Sequence, residues 1–430
     1  MSRRILLLFI GIYCNNVFSQ SPQPIDTLRI TTYSMLNFPD SSGLERVKDF
    51  RIVINAIQPD ILVAQDVVSA SGVQTLLDSI FNYETAGKYG AAPFLDGPGT
   101  DSIIFYRPDI VTLTADSLFP ITIEDVFGKI YQRDFAEFVF QTSDGKELRI
   151  YSVHFLGSQG FPIERLRNRE AEVLRNHLND LPGGSHFIVL GVFNFWTVGE
   201  PGYERLIGDH ADNDGRLFDP IGFLVTTPEQ APNHTYSTRG ARRMTPHQGK
   251  GLDQRYDMIC VSESVFQRKD QATSGIHLLL DTYTAFGNDG AHYKRAVNDG
   301  TNGVVDSVTA EALHAASDHL PVYADFVVYS GEATAVESAV EPPAGFSLHQ
   351  NYPNPFNPST QISFSLPVAS QVKMTVYNLN GERIKVLLDE RLPLGEHAVT
   401  FDAKGLPAGI YWYKLEADRF QAVKRFVFLK

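Results

Sequence analysis

The sequence predicts a mixed α/β or α+β domain built on a large sheet core, followed by a small all-β unit. Three observations carry this. Seven apolar runs of strand length recur between residues 28 and 329, and two stretches of helical period lie among them. After a segment without period, the chain changes to short alternating runs punctuated by turn residues. At 430 residues the chain exceeds what one core usually serves, and 43% hydrophobic against 20% charged residues is the balance of a globular chain. The formal charge of −13 argues against non-specific coating of nucleic acid, because that affinity rests on Lys and Arg neutralising phosphates. A local basic site is still compatible with it.

Taken in order, the chain opens with MSRRILLLFIGIYCNNVFSQ, in which two arginines precede an apolar run from Ile5 to Cys14 and then small or polar residues. Residues 1–19 therefore read as a secretory signal peptide. The run is too short to span a bilayer, which takes roughly 20 residues, so no transmembrane segment is expected in the mature chain. With that peptide removed, Cys260 is the one cysteine left, which rules out an internal disulfide. Inside apolar DMICVS it reads as a small buried hydrophobe.

Between Leu28 and Tyr329, LRITTYSML, DILVAQDVV, SIIFYRP, LRIYSVHF, HFIVLGVF, RYDMICVS and HLPVYADFVV read as strands. Helices are expected at VKDFRIVINAI before Pro59 and at PIERLRNREAEVLRNHLNDL, where Leu166, Ala171, Leu174 and Leu178 form an apolar stripe. Ser330 to Gly345, rich in small residues, acids and proline, reads as a linker. Beyond it, Asn380-Gly381 between two alternating runs signals a hairpin, and Phe346 to Lys430 reads as a small β-sandwich.

NYPNPFNPST, YNLNGERI and GLPAGIYWYKLEA, in that order, resemble the C-terminal sorting domain of the type IX (Por) secretion system of Bacteroidetes-type bacteria. The resemblance covers residues 346–430. It implies passage through the periplasm of a Gram-negative cell to the surface or medium, with the secretion machinery as partner.

TYSMLNF, PDILVAQDV, VHF, GVFN, RYDMI and SDHLPV, again in order, resemble the endonuclease/exonuclease/phosphatase superfamily, whose members include deoxyribonuclease I-like nucleases. The resemblance spans nearly all of residues 28–329. It implies a four-layer fold, two β-sheets face to face with helices outside and the site at one edge. Hydrolysis of a phosphodiester needs a cation for the phosphoryl oxygens, donors that hold the phosphate, and a base for water.

The resemblance assigns Asp66 and Asp318, with Ser34, to a hard cation such as Mg²⁺ or Mn²⁺. It makes His319, oriented by Asp257, the base or phosphate contact, and His154 and Asn194 donors to the phosphate. Three positions depart from the family: Ser34 stands for Asn, Asp66 for Glu, and Val192 for Asp. The first two weaken a metal site, so the cation is expected to bind weakly. The third removes an acceptor, and losing one positioned base costs on the order of 10²- to 10⁴-fold.

Beside these lies STRGARRMTPHQGKGLDQR, where Arg239, Arg242, Arg243, Lys250 and Arg255 face one acid, Asp253. Arg239, Arg242 and Arg243 are the candidates for a polyanionic substrate, possible nucleic acid included. HQGKG and DNDG lack the spacing of a phosphate loop and of a calcium loop and read as ordinary loops. The expectation is a secreted, metal-dependent phosphoesterase of reduced or altered activity. The alternative is a non-catalytic surface binding module.

Overall fold

The computed structural model describes residues 24–428 other than 40–42, 99–101, 126, 158–159, 198, 211, 223–227, 240–250, 267–273, 330–345, 350, 352–353, 355, 367–369, 379–381, 393–394 and 418–419. The signal peptide, the linker, Arg242, Arg243, Lys250 and the Asn380-Gly381 turn lie outside the described residues.

The first unit runs β1 (Pro24–Phe38), α1 (Gly43–Ile57), β2 (Ile61–Val67), α2 (Ala70–Leu76), β3 (Gly90–Ala91), β4 (Ser102–Tyr106), β5 (Val111–Glu124), β6 (Ile130–Thr142) and β7 (Glu147–His154). It continues with α3 (Phe161–Asn179), β8 (Phe187–Val192), α4 (Pro201–Ile207), β9 (Asp257–Val261), α5 (Glu263–Phe266), β10 (Gly275–Ala285), α6 (Ser307–Ala316) and β11 (Val322–Tyr329). One sheet has the order β10-β11-β1-β2-β4-β3 and the other β5-β6-β7-β8-β9.

Two strand pairs are parallel, β1 with β2 and β7 with β8, and each is joined through a helix, α1 and α3 respectively. A parallel pair needs such a crossover, and the crossover lays its helix on one face of the sheet. The sheets meet through their inner faces in one core that also takes in α1, with Ile30, Val63, Ile104, Ile150, Leu190 and Ile259 among its members. Phe50 of α1 seals it from outside, with its ring edge-on to Tyr33 and Phe38. A second core fills the space between the other sheet and α3 and α4, where the predicted stripe Leu166, Ala171, Leu174 and Leu178 is fully buried. Each of these leucines stabilises by roughly 1.5–3 kcal/mol relative to exposure. The layering is therefore helix, sheet, sheet, helix.

The long β5–β6 hairpin is absent from the sequence reading. Pro120 and Asp116 break the alternation of β5, and half of its side chains face solvent, so no strand period survives. Helix α6 is missed for a different reason: its buried face is mostly alanine, and its start is fixed by the Asp306 carboxylate accepting the Thr309 N–H at 2.7 Å.

The C-terminal unit comprises β12 (Ser347–Leu348), β13 (Ser359–Leu366), β14 (Ser370–Tyr377), β15 (Arg383–Leu392), β16 (Gly395–Asp402), β17 (Gly409–Ala417) and β18 (Phe420–Phe428). They form antiparallel sheets in the orders β12-β13-β16 and β15-β14-β17-β18. Alternate residues, Ile362, Phe364 and Leu366 from one sheet and Val372, Met374 and Val376 from the other, meet in a single core. This is the expected small β-sandwich.

Candidate functional site

The parallel strands β1, β2, β7 and β8 end at one edge of the sandwich, and β9 and the segment leading into β11 start from it. Ser34, Asp66, His154, Asn194, Asp257 and His319 are therefore delivered to the same place from separate strands.

Asp66 needs a departure from strand geometry to take part. Gln65 already points between the sheets, where its side chain accepts from Thr32 Oγ1 at 3.0 Å and donates to Ser152 Oγ at 3.1 Å. Strict alternation would send Asp66 to the opposite face. Its φ of 61° lies in the left-handed region and turns the side chain back. Ser34 Oγ donates to Asp66 Oδ2 at 2.6 Å, and His154 Nδ1 lies 3.1 Å from Oδ1, off the angle of a hydrogen bond. Burial alone would raise the Asp66 carboxyl. The charge and contact of His154, with the Ser34 hydroxyl and His319, outweigh it and hold the group well below the usual carboxylate range.

Asn194 repeats the device, with φ 55° at the end of β8. Its Nδ2 donates to the Phe155 carbonyl at 2.7 Å, tying the end of β8 to the residue after His154.

On the other side of the site, His319 Nδ1 stands 2.8 Å from Asp257 Oδ2, and Asp257 is fully buried. The Thr235 hydroxyl accepts from the N–H groups of Tyr256 and Asp257 and so fixes the carboxylate. Burial opposes protonation of His319. The charge and hydrogen bond of Asp257, with Asp318 and Asp66 nearby, overcome that and push the imidazole up to about 9. Asp257 thus favours the protonated form of the ring.

Val192 lies between these pairs. It is the direct cross-strand neighbour of His154 on β7 and of Asp257 on β9, and it is buried. Directly opposed residues share a face, so the methyl groups occupy the centre of the site. A carboxylate there would touch both neighbours; in its place His154 leans on Asp66.

Asp318 sits beside the site with its backbone carbonyl accepting from Thr238 N at 2.9 Å. Its Oδ1 is buried and has no hydrogen-bond partner, as is Asp257 Oδ1. An orphaned carboxylate oxygen is costly unless a cation or donor reaches it. Among the described residues no three His, Cys, Asp or Glu side chains converge as a ready metal cage. Mg²⁺ does not require one, since it is commonly held by one or two carboxylates with waters completing the shell. Asp318 and Asp66 both lie near His319, and Ser34 links their two segments: its Oγ donates to Asp66 and its carbonyl accepts from Ser317 Oγ at 2.8 Å.

The basic stretch resolves differently. Arg255 is buried and gives both terminal nitrogens to Asp219 at 2.7 Å, so it is an internal ion pair and no part of a polyanion surface. Arg239 directs its guanidinium to the carbonyls of His314 and Ala315 at the end of α6, which suits the negative end of that helix. Cys260 is buried as expected, and burial pushes its thiol up.

Several supporting groups escape sequence reasoning. Glu170 accepts from Leu156 N and from Arg133, whose guanidinium also donates to the His154 carbonyl. Fully buried Arg167 pairs with Glu200, which in turn accepts from Trp196 N. Their only signal is four charged residues within or near apolar patterns, which does not name partners.

Residues 350–429 match the family model described as a secretion system C-terminal sorting domain. No curated protein matches the chain. Solved structures with a similar course include the human Nocturnin catalytic domain with bound sulfate, at 17% identity over 72% of this chain and 98% of that one, with a TM-score of 0.44. Zebrafish (D. rerio) TDP2 complexed with a single-strand DNA product gives 15% identity, 70% and 98% coverage and 0.42. An endonuclease/exonuclease/phosphatase from Beutenbergia cavernae gives 15%, 93% and 99%, and 0.43. At this level of likeness no function passes from them to this chain. The C-terminal unit is a secretion sorting domain, and among the described residues no helix is long and apolar enough to cross a membrane.

Proposed function

We propose that the chain is a secreted hydrolase acting on phosphodiester bonds, of type IX export, with reduced or altered activity. The observation that supports this most is the meeting of two Asp–His pairs, Asp66–His154 and Asp257–His319, with Asn194 at one edge of the sandwich. His319, oriented by Asp257, donates to a phosphoryl oxygen or to the leaving oxygen. His154 lines the facing side, and Asn194 fixes the backbone next to it. Asp66 and Asp318 would hold a divalent cation, weakly, which when bound supplies charge neutralisation at the phosphoryl group. Arg242 and Arg243, which follow Arg239 in the sequence, are the proposed contacts to a polyanionic substrate.

A non-catalytic binding module is the second reading. It is favoured by Val192 in the centre of the site and by the capture of both Asp66 oxygens by Ser34 and His154.

Hydrolysis of bis(p-nitrophenyl) phosphate and plasmid DNA separates the two. The parent should turn over slowly with Mg²⁺, and His319→Ala should lose that rate. The combined change Ser34→Asn, Asp66→Glu and Val192→Asp should raise turnover at least about 10²-fold. No metal-dependent rate in either protein would favour the binding module. Millimolar Mg²⁺ or Mn²⁺ should raise the melting temperature of the parent by mass action and leave Asp318→Ala unchanged. An unshifted parent melting curve would remove the metal from the account.

A further inference from the structure

Two segments of the candidate site are joined where the sheet ladder no longer joins them. The ladder between β1 and β11 ends at Thr32 opposite Val322, and that between β1 and β2 is irregular from Ser34 to Phe38. Beyond those points one segment carries Ser34 and the other carries Asp318 and His319. Leu36 and Asn37 have φ of 49° and 52°, a left-handed turn at the place where the ladder breaks.

Arg46, near the start of α1, reaches across this gap and is buried at 6% exposure. Its Nη1 donates to the carbonyls of Met35 at 2.9 Å and Ala316 at 2.8 Å, and its Nη2 donates to that of Leu36 at 3.0 Å. Ala316 is the last residue of α6, so the guanidinium charge also meets the negative end of that helix. A planar fork with five donors serves both segments at once, which a single ammonium on a flexible stem does not. A companion bond runs beside it. The Ser317 hydroxyl donates to the Ser34 carbonyl at 2.8 Å and accepts from His319 N at 3.2 Å.

We infer that Arg46 is a positioning residue of the site, with the Ser317 hydroxyl as its companion. Through Met35, Leu36 and Ala316 it sets where Ser34, and the Asp66 carboxylate that Ser34 contacts, stand relative to Asp318 and His319. The consequence for a divalent cation rests on the phosphoesterase reading; the joint itself rests on its hydrogen bonds. Charge and position predict opposite results. A buried positive charge acting as charge alone repels a cation, so its removal would tighten binding. Acting by position, its replacement loosens binding even when Lys preserves the charge.

Arg46→Lys, Arg46→Met and Arg51→Lys are compared with the parent as full-length proteins. Arg51 lies on the same helix and gives Nε and Nη2 to the Ser79 carbonyl at 2.9 and 2.6 Å, so its replacement removes similar bonds that touch neither segment. Two quantities are read: Mn²⁺ affinity from the electron paramagnetic resonance of the free ion, and hydrogen exchange of peptides covering residues 33–38 and 316–320 in EDTA. Arg46→Lys should weaken Mn²⁺ binding about 10- to 100-fold, the usual cost of losing a group that orients a metal ligand. It should also speed exchange in both peptides, while Arg51→Lys keeps the parent values of both quantities. Unchanged affinity in Arg46→Lys, or tighter binding in Arg46→Met, would overturn the positioning role. Should neither Arg46 variant fold, Ser317→Ala takes their place, and parent-like affinity and exchange there would overturn the joint. A parent that binds no Mn²⁺ would sink the metal reading alone. Exchange then decides the inference: faster exchange confined to the two peptides upholds it, and parent-like exchange in Arg46→Lys refutes it.

Discussion

Val192 has His154 on one side and fully buried Asp257 on the other, so the single change Val192→Asp adds a carboxylate next to one that is already desolvated. We expect this variant to lose stability on the order of 3 kcal/mol, because an uncompensated buried charge is costly. A chemical denaturation midpoint equal to that of the parent would show that His154 leaves Asp66 to compensate it. His319 gives a second residue-scale prediction. Its folded pKa of about 9 lies above the ordinary value of about 6.5. Its contribution to stability is therefore fully present below about pH 6.5 and lost as pH rises through about 9. Melting temperatures in EDTA should fall over that window for the parent, and distinctly less for His319→Gln. A parallel decline in both would mean that His319 does not carry the shift. Asp66 acts in the opposite direction: its pKa is depressed, so its contribution is present above the ordinary carboxylate value and lost only in strong acid.

At the scale of elements, the site depends on the register of β7 against β8. Gly191 has φ 130°, and a Cβ there would stand 2.0 Å from the Val153 carbonyl oxygen. Gly191→Ala should therefore cost at least about 1–3 kcal/mol through backbone strain and shift Val192 from its place opposite His154. Unchanged stability by denaturant titration would argue against this tight approach. The Arg167–Glu200 pair gives a companion test. It is sealed between α3 and the loop carrying Trp196, so Arg167→Ala should cost about 3–5 kcal/mol by leaving Glu200 buried and unpaired. Strands such as β2 and β8 were legible because both faces are buried and each carries an unbroken apolar run, Ile61 to Ala64 and Phe187 to Leu190. Strand β5 was not, because much of it faces solvent and its pattern is mixed. Elements whose burial is set by distant partners leave no period of their own.

For the whole molecule, the sorting domain and the candidate site lie in separate stretches of chain. Deleting residues 346–430 should leave the remainder in the periplasm, as judged by immunoblots of periplasm, membrane and medium; normal amounts in the medium would contradict the role of the tail. By itself, the sequence determined the α/β character of the first unit, the β-sandwich of the second, and the set of polar residues at strand ends, since periodicity, turn chemistry and motif order are local. What only the tertiary structure decided is how those residues pair. Left-handed φ at Asp66 and Asn194 reverses strand alternation, Val192 is placed between two titratable groups, Arg255 is withdrawn into an ion pair, and Tyr236 is set against His319. The pairings Asp66–His154, Val192–His154, Val192–Asp257, Arg255–Asp219 and Tyr236–His319 join residues 36 to 88 positions apart, and contacts at that separation depend on how the two sheets close rather than on any property of the local chain.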